Sequence, residues 1–272
     1  MKKQEIQKLE KKAVILRKKI LSMITKANAS HIGSAYSCLE LLIFLYSYVL
    51  KIYPKNPFNK NRDRFILSKG WAISALFSVL EDKKIISQKD LENYCLDGSK
   101  LIGCATYNGI AGIEATTGSM GHGLPIGVGM ALAAKIQNKK YKIVVLISDG
   151  ECDEGSTWEA ILQAGHHKLN NLLVIIDYNK LQSFGKVKDI LDLEPLSAKW
   201  KAFKWNVLET NGNSFKDLSK TFKKITFKNK PTVIIAHTTK GKGVSIFENR
   251  NEWHYKTPKS KELEIAEKEL II

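Results

Sequence analysis

Acidic residues are scarce in this chain of 272 residues: 27 Asp and Glu stand against 43 Lys and Arg, a formal net charge of +16. Such an excess raises the question of a polyanionic partner. The lysines are scattered through helix and loop sequence, with no basic stripe interleaved with aromatics and no nucleic-acid motif, so no nucleic-acid partner is expected. Cysteine is also sparse. Cys38, Cys95, Cys104 and Cys152 form no C-x-x-C pair, which excludes a zinc ribbon and a dithiol redox motif. Isolated thiols suit a reducing compartment. Long apolar runs are missing: "CLELLIFLYSYVL" from Cys38 falls short of the roughly 18 residues that span a bilayer, and it contains Glu40. No membrane span is expected. The N-terminal segment "MKKQEIQKLEKKAVILRKKI" carries acids and lacks the compact apolar region and cleavage site of a signal peptide. The expected location is cytoplasmic. There are only six prolines, no repeat, and no Pro/Gly-rich linker. The expectation is one domain over residues 1–272 with an N-terminal helical extension.

What is present is strong periodicity. Residues 3–27 predict a helix, with Ile6, Leu9, Ala13, Leu16, Ile20 and Ile24 at helical spacing. "NASHIGSAYS" is small and polar and reads as a loop; residues 37–48 read as an apolar helix. "RFILS" is a short strand, "WAISALFSVLEDK" a helix, and "ATTGSMGHGLPIGVGMALAAKIQ" a glycine-rich loop that runs into a helix. "YKIVVLIS" and "NLLVIIDY" are β-branched runs without alternation, as in strands buried on both faces. Between them lies "STWEAILQAGHHKLN", a helix expected to be capped near Ser156. Strand, helix, strand over about 35 residues predicts a right-handed parallel βαβ unit. "NVLET" and "PTVIIAHT" add two strands. The fold class is α/β, a mostly parallel sheet with helices on both faces.

Within this basic chain, "LISDGECDEGSTWEA" places four acids in six positions at the end of a strand: Asp149, Glu151, Asp153 and Glu154. Ligands of such sheets bind outside the carboxyl ends of the strands. Asp149 ends one strand and Asn179 follows the next. A carboxylate, an amide oxygen and a nearby carbonyl form a hard oxygen set that suits Mg²⁺, with Ca²⁺ or Mn²⁺ as substitutes, better than zinc. Gly150 lets a phosphate approach the backbone, and the helix from about Ser156 points its positive end there. Spacing alone leaves a second reading open, in which Asp149 caps a helix and Asn179 sits in a turn.

The stretch "SDGECDEGSTWEA…HHKLNNLLVIIDYNKLQSFG" resembles the thiamine-diphosphate fingerprint of the transketolase family. "DRFILSKG", "GIEATTGSMGHGLPIGVGMALAAK" and "HTTKGKGVSIFENRNEWH" are similar to other blocks of that family's N-terminal half, from about residue 10 to 258. The resemblance implies the N-terminal, diphosphate-binding subunit of a split transketolase. Asp149, Asn179 and the Leu181 carbonyl would hold Mg²⁺. Gly150 would pack against the diphosphate, and Gly118, Ser119 and Met120 would lie along the cofactor. His254 would reach diphosphate or substrate, and His31 would face substrate. Glu154 and Glu159 match acids of a carboxylate network across a subunit interface. His122, where many relatives carry Gln, is a candidate substrate contact. Glu151 and Asp153 match nothing required and read as solvent-facing. His166 and His167 read as structural, and His237 is open.

The departures from the family concern the substrate. Trp71 stands where transketolases carry His after "LSKG", and Cys104-Ala105 replaces a His-Pro pair. Ser148 replaces the first glycine of the usual "GDG". Loss of two polar handles implies a donor other than xylulose 5-phosphate, such as an unusual, modified or deoxy sugar, or a 2-oxo acid. The implied reaction moves a two-carbon ketol unit from a ketose to an aldose. It requires a separate C-terminal subunit with the pyrimidine-binding half, in an α₂β₂ assembly. The alternatives are a thiamine-diphosphate acyloin or 2-oxo-acid enzyme subunit, and a non-catalytic cofactor-binding subunit.

Overall fold

The two unalternating runs become neighbouring central strands. A computed structural model describes residues 1–271. In chain order the elements are α1 (Lys3–Lys26), α2 (Ile32–Ser37), α3 (Leu39–Phe44), β1 (Arg64–Leu67), α4 (Ile73–Asp82), α5 (Gln88–Glu92), α6 (Gly123–Ile136) and β2 (Ile143–Ser148). They continue with α7 (Gly155–His166), β3 (Leu172–Tyr178), α8 (Val187–Ile190), α9 (Leu196–Ala202), β4 (Asn206–Asn211), α10 (Phe215–Phe222), β5 (Thr232–His237) and α11 (Lys261–Glu269). The sheet order is β1-β2-β3-β5-β4, and every pairing is parallel. This is the predicted α/β class.

β2 and β3 are buried at every position, which is why neither alternates polar with apolar. Each such Val, Ile or Leu contributes about 1.5–3 kcal/mol of burial free energy. The pleat divides them between two cores. Val144, Leu146, Leu173 and Ile175 join one core with side chains of α1, α3, α4 and α10. Ile143, Val145, Ile147, Val174 and Ile176 join the other, with α6, α7 and α9. Helix α1 is tied to α4 by ion pairs from Lys12 to Asp82 and from Lys19 to Glu81. Among the described residues, no helix is long and apolar enough to cross a membrane.

Several sequence expectations need correction. Residues 32–37 are a buried helix, α2, not a loop. Its small side chains reflect tight packing rather than solvation. The helix read over 37–48 is α3 followed by a wider π-type turn over Leu45–Val49. The N-cap position of α7 is Glu154, and its side chain makes no capping bond. Ser156 does not cap; its hydroxyl donates to the Gly121 carbonyl at 2.8 Å. Glu151 is not solvent-facing: it is 0 % exposed. Its carboxylate accepts from the Ser68 hydroxyl and from the backbone N–H of Gly121 at 3.2 Å. Three backbone segments converge there and leave no path to water. Asp153 is half-buried and accepts from Gln182 Nε2 at 2.5 Å.

On α7, Gly165 lies against the Phe203 carbonyl at the end of α9. A Cβ there would stand 2.0 Å from that oxygen. Backbone cannot yield as a flexible side chain can. Gly165→Ala is expected to destabilise the chain by about 1–3 kcal/mol, measured as a fall in the urea midpoint. An unchanged midpoint would contradict the packing of α7 on α9.

Candidate active site

The β2–β3 register pairs Ser148 with Asp177. Asp149 and Asn179 therefore emerge side by side beyond the carboxyl edge of the sheet. Asp149 Oδ2 accepts from the Lys180 N–H at 2.6 Å, and Oδ1 from the Gly150 N–H at 2.9 Å. Asn179 Oδ1 accepts from the Leu181 N–H at 3.0 Å. Beneath them lie two fully buried lysines. Lys69 pairs with Asp177. Lys240 donates to the carbonyls of Leu181 and Gln182, both at 3.1 Å, and approaches His254 Nδ1 at 3.0 Å. Buried charges of this kind persist only when paired and hydrogen-bonded.

These groups open into a cleft of about 410 Å³. It brings together His31, Trp71, Gly118, Ser119, Met120, Asp149, Gly150, Glu154, Asn179, Leu181 and His254. Ser34, Lys69, Gln182 and Tyr255 complete much of its wall. Gly118 is in the left-handed region at φ +138°, and a Cβ there would meet Cys104 Sγ at 2.2 Å. Cys104 thus packs behind Gly118 rather than lining the cleft, and its thiol is bonded to the Thr117 carbonyl at 3.1 Å. His122 and Glu159 are exposed and are not part of the lining. A larger hollow of about 760 Å³ shares Asn179 and Leu181 but lies mostly against Lys186, Lys188, Asp192 and His237. The smaller cleft is the better chemical site, because the buried ionisable groups converge on it.

The electrostatics set the protonation states. Burial, then the positive charges of Lys240 and Lys69, lower His31 to about 4. Burial and Lys240, followed by His31 and Lys69, lower His254 to about 3. Both rings are therefore neutral at pH 7. They stand edge to face, 4.9 Å between centroids, and Trp71 is 6.4 Å from His254. His31 has φ +73°, strained for a non-glycine residue, which is typical of functional positions. Burial and the Asp177 carboxylate push Asp149 up to about 7. Burial lowers Lys240 to about 8, and the neighbouring Lys69 adds to it. Burial alone would depress Lys69, but Asp177 more than offsets this and leaves it raised.

The donor chemistry fits a hard cation with a diphosphate. Asp149 is a buried carboxylate that its protein surroundings do not fully compensate, and a dication would hold it ionised. The Leu181 and Gln182 carbonyls already converge on a positive group, the Lys240 ammonium. Among the described residues, no three or more His, Cys, Asp or Glu side chains cluster as metal ligands. The expected set contains one carboxylate only, so it differs from such a cluster.

Residues 10–270 match the family model described as "Transketolase, thiamine diphosphate binding domain". The chain belongs to the transketolase family. It is 42% identical over 267 residues to an apulose-4-phosphate transketolase subunit of Phocaeicola vulgatus, covering 98% of this chain and 95% of that one. It is 37% identical to the 6-deoxy-6-sulfo-D-fructose transketolase subunit SqwG of a Clostridium species, covering 90% of each chain. The solved transketolase of Campylobacter jejuni superposes with a TM-score of 0.91 at 33% identity, over 97% of this chain and 43% of that one.

For this transketolase-family chain, thiamine diphosphate is the cofactor of the matched domain. Sequence reasoning misses Lys69, Lys240 and Asp177. Both lysines lie in the family blocks "LSKG" and "TTKGKG", but nothing local distinguishes a buried lysine from the many exposed ones. Folding stability carries the signature of the neutral rings. An unfolded histidine takes up a proton below its ordinary 6.5, whereas folded His31 and His254 do so only near 4 and 3. Acid from about pH 6.5 downward therefore withdraws stability. In an NMR titration the ring signals of His31 and His254 are expected to move with midpoints of about 4 and about 3. A midpoint near 6.5 for either would contradict this electrostatic picture.

Proposed function

We propose that this chain is the diphosphate-binding subunit of a two-chain transketolase. In this reading it transfers a two-carbon ketol unit from a non-standard ketose phosphate, or a modified sugar, to an aldose. One observation carries the reading. The chain is matched nearly end to end by a relative whose name makes it one subunit of a transketolase, yet it spans only 43% of a one-chain transketolase. A separate C-terminal subunit would supply the pyrimidine-binding half. The whole chain is read as one domain, and the four free thiols suit a cytoplasmic setting.

Asp149, Asn179 and the Leu181 carbonyl would hold Mg²⁺, and Gly150 would lie against the diphosphate. Gly118, Ser119 and Met120 would flank the cofactor. Bound thiamine diphosphate supplies the carbanion chemistry of ketol transfer. The protein's own residues orient and handle protons. His31 Nδ1 is engaged by Ser30 Oγ at 2.6 Å and His254 Nδ1 by Lys240. Each ring thus has Nε2 free for a substrate oxygen. Rings with values near 3 and 4 are weak bases. An anion bound beside Lys69 would cancel part of the field that depresses His31, so binding itself would improve His31 as a proton acceptor. His254, whose Nδ1 accepts from the Lys240 ammonium, carries its hydrogen on Nε2 and donates there.

The exposed face of α6 and α7 suits the α₂β₂ assembly. Apart from Lys135, α6 is uncharged, and a helix apolar on all sides is normally buried. Yet Ile136 on α6 and Leu162 on α7 are exposed. Glu159 lies on the same exposed side of α7, where the interface carboxylate is expected. His122 is exposed at the start of α6, where it would reach substrate only through the assembly.

Trp71 replaces a polar handle with an apolar ring at the donor end, and Cys104 is withdrawn behind Gly118. Such a wall should not reward the hydroxyls of ordinary pentose phosphates. Apulose 4-phosphate and 6-deoxy-6-sulfofructose, named for the relatives, are the first donors to test. A coupled assay is expected to detect transfer only when this chain is mixed with a pyrimidine-binding subunit, in a complex with the mass of α₂β₂. The non-standard donors are expected to exceed xylulose 5-phosphate in kcat/KM. Full activity of this chain alone would contradict the split. Normal efficiency on xylulose 5-phosphate would contradict the donor assignment.

A further inference from the structure

The buried polar layer under the cleft has a direction. Asp177 is 0 % exposed and lies near the end of β3. Its Oδ1 accepts from Ser37 Oγ at 2.7 Å and from the Thr238 hydroxyl. Its Oδ2 pairs with Lys69. An ionised carboxylate has no hydrogen to give, so every one of these partners must donate to it. The hydroxyl hydrogen of Ser37 is therefore committed to Asp177, and Ser37 Oγ can offer a neighbour only its lone pairs. That neighbour is Asn179, whose Nδ2 lies 3.1 Å from Ser37 Oγ and 3.5 Å from Asp177 Oδ2. Both amide hydrogens are drawn inward. Oδ1 is left as the only amide atom free for the cleft, with one lone pair used by the Leu181 N–H.

We propose that Asp177, acting through Ser37, is a positioning residue that locks Asn179 in the rotamer presenting Oδ1, and not Nδ2, to a cation. The inference rests on the metal–diphosphate reading of the cleft. An asparagine free to rotate would also offer its NH₂ group to the metal and repel it. The buried ion pair with Lys69 occupies the other oxygen of Asp177 and fixes the polarity of the relay. Thr238 contributes to holding Asp177 but does not touch the Asn179 amide. Ligand-orienting partners of this type change metal affinity on the order of 10–100-fold.

The test is Mn²⁺ binding to the assembled two-subunit enzyme with thiamine diphosphate present, followed by the electron paramagnetic resonance signal of free Mn²⁺. Asp177→Asn gives the layer a new donor and lets Ser37 reverse; Mn²⁺ affinity is expected to fall about 10–100-fold. Ser37→Ala leaves the Lys69 pair intact, removes the relay, and should lower affinity in the same direction. Thr238→Val removes a bond to Asp177 without reaching Asn179, and should leave Mn²⁺ affinity unchanged even if thermal stability falls. A purely structural role would lower stability in all three and Mn²⁺ affinity in none, and would overturn the inference. Assembled parent enzyme that binds no Mn²⁺ would overturn the metal–diphosphate reading, and this inference with it.

Discussion

The register of β2 against β3 is the constraint on which the cleft depends. With Ser148 opposite Asp177, the next residues of the two strands leave the sheet together. Asp149 and Asn179, thirty positions apart in the chain, become neighbours. The bond from the Lys180 N–H to Asp149 Oδ2 ties the two strand ends across that edge. A slip of one residue would reverse the faces of β3 and send each set of side chains into the opposite core. The two apolar cores therefore hold the site in place, because each strand must present alternate residues to opposite layers.

Below that edge the protein balances charge in a region from which water is excluded. Lys69 and Asp177 neutralise each other, whereas Asp149, Glu151 and Lys240 depend largely on backbone groups. Buried ions held this way are costly as structure alone. The imbalance is useful if a dication and an anionic ligand complete it. Asp149 then faces the cation, and Lys240, behind the cleft wall, holds the Leu181 carbonyl and the His254 ring. The cost of burying these groups in the free chain becomes affinity for the pair.

Much of this is legible in the sequence. β2, β3 and the parallel α/β class follow from unbroken β-branched runs, and Asp149 with Asn179 from their place at strand ends. Glu151 reads wrongly as solvent-facing because its neighbours are acidic and its spacing is that of a solvated loop. Only the approach of Ser68 and Gly121 from distant segments buries it. Lys69, Lys240 and Asp177 are invisible for the same reason. In a chain with 43 basic residues, the two that matter are identified by burial, which no local pattern records. The helix over residues 32–37 is hidden by small side chains, which occur equally in loops and in tightly packed helices.

In the proposed two-chain reading the cleft is one wall of the active site. Met120 and Tyr255 at its mouth, and Phe184 at 86 % exposure, are apolar groups facing solvent in the single chain. A second subunit would cover such a surface, as larger exposed apolar patches mark interaction sites. The central claim is that the strand-end pair holds a metal-bound diphosphate. It is tested most directly by calorimetric titration of thiamine diphosphate into the assembled enzyme, with Mg²⁺ and with a chelator, for the parent and for Asp149→Ala. The account predicts binding by the parent that requires the metal and is lost in the variant. Equal affinity in all four titrations would contradict it.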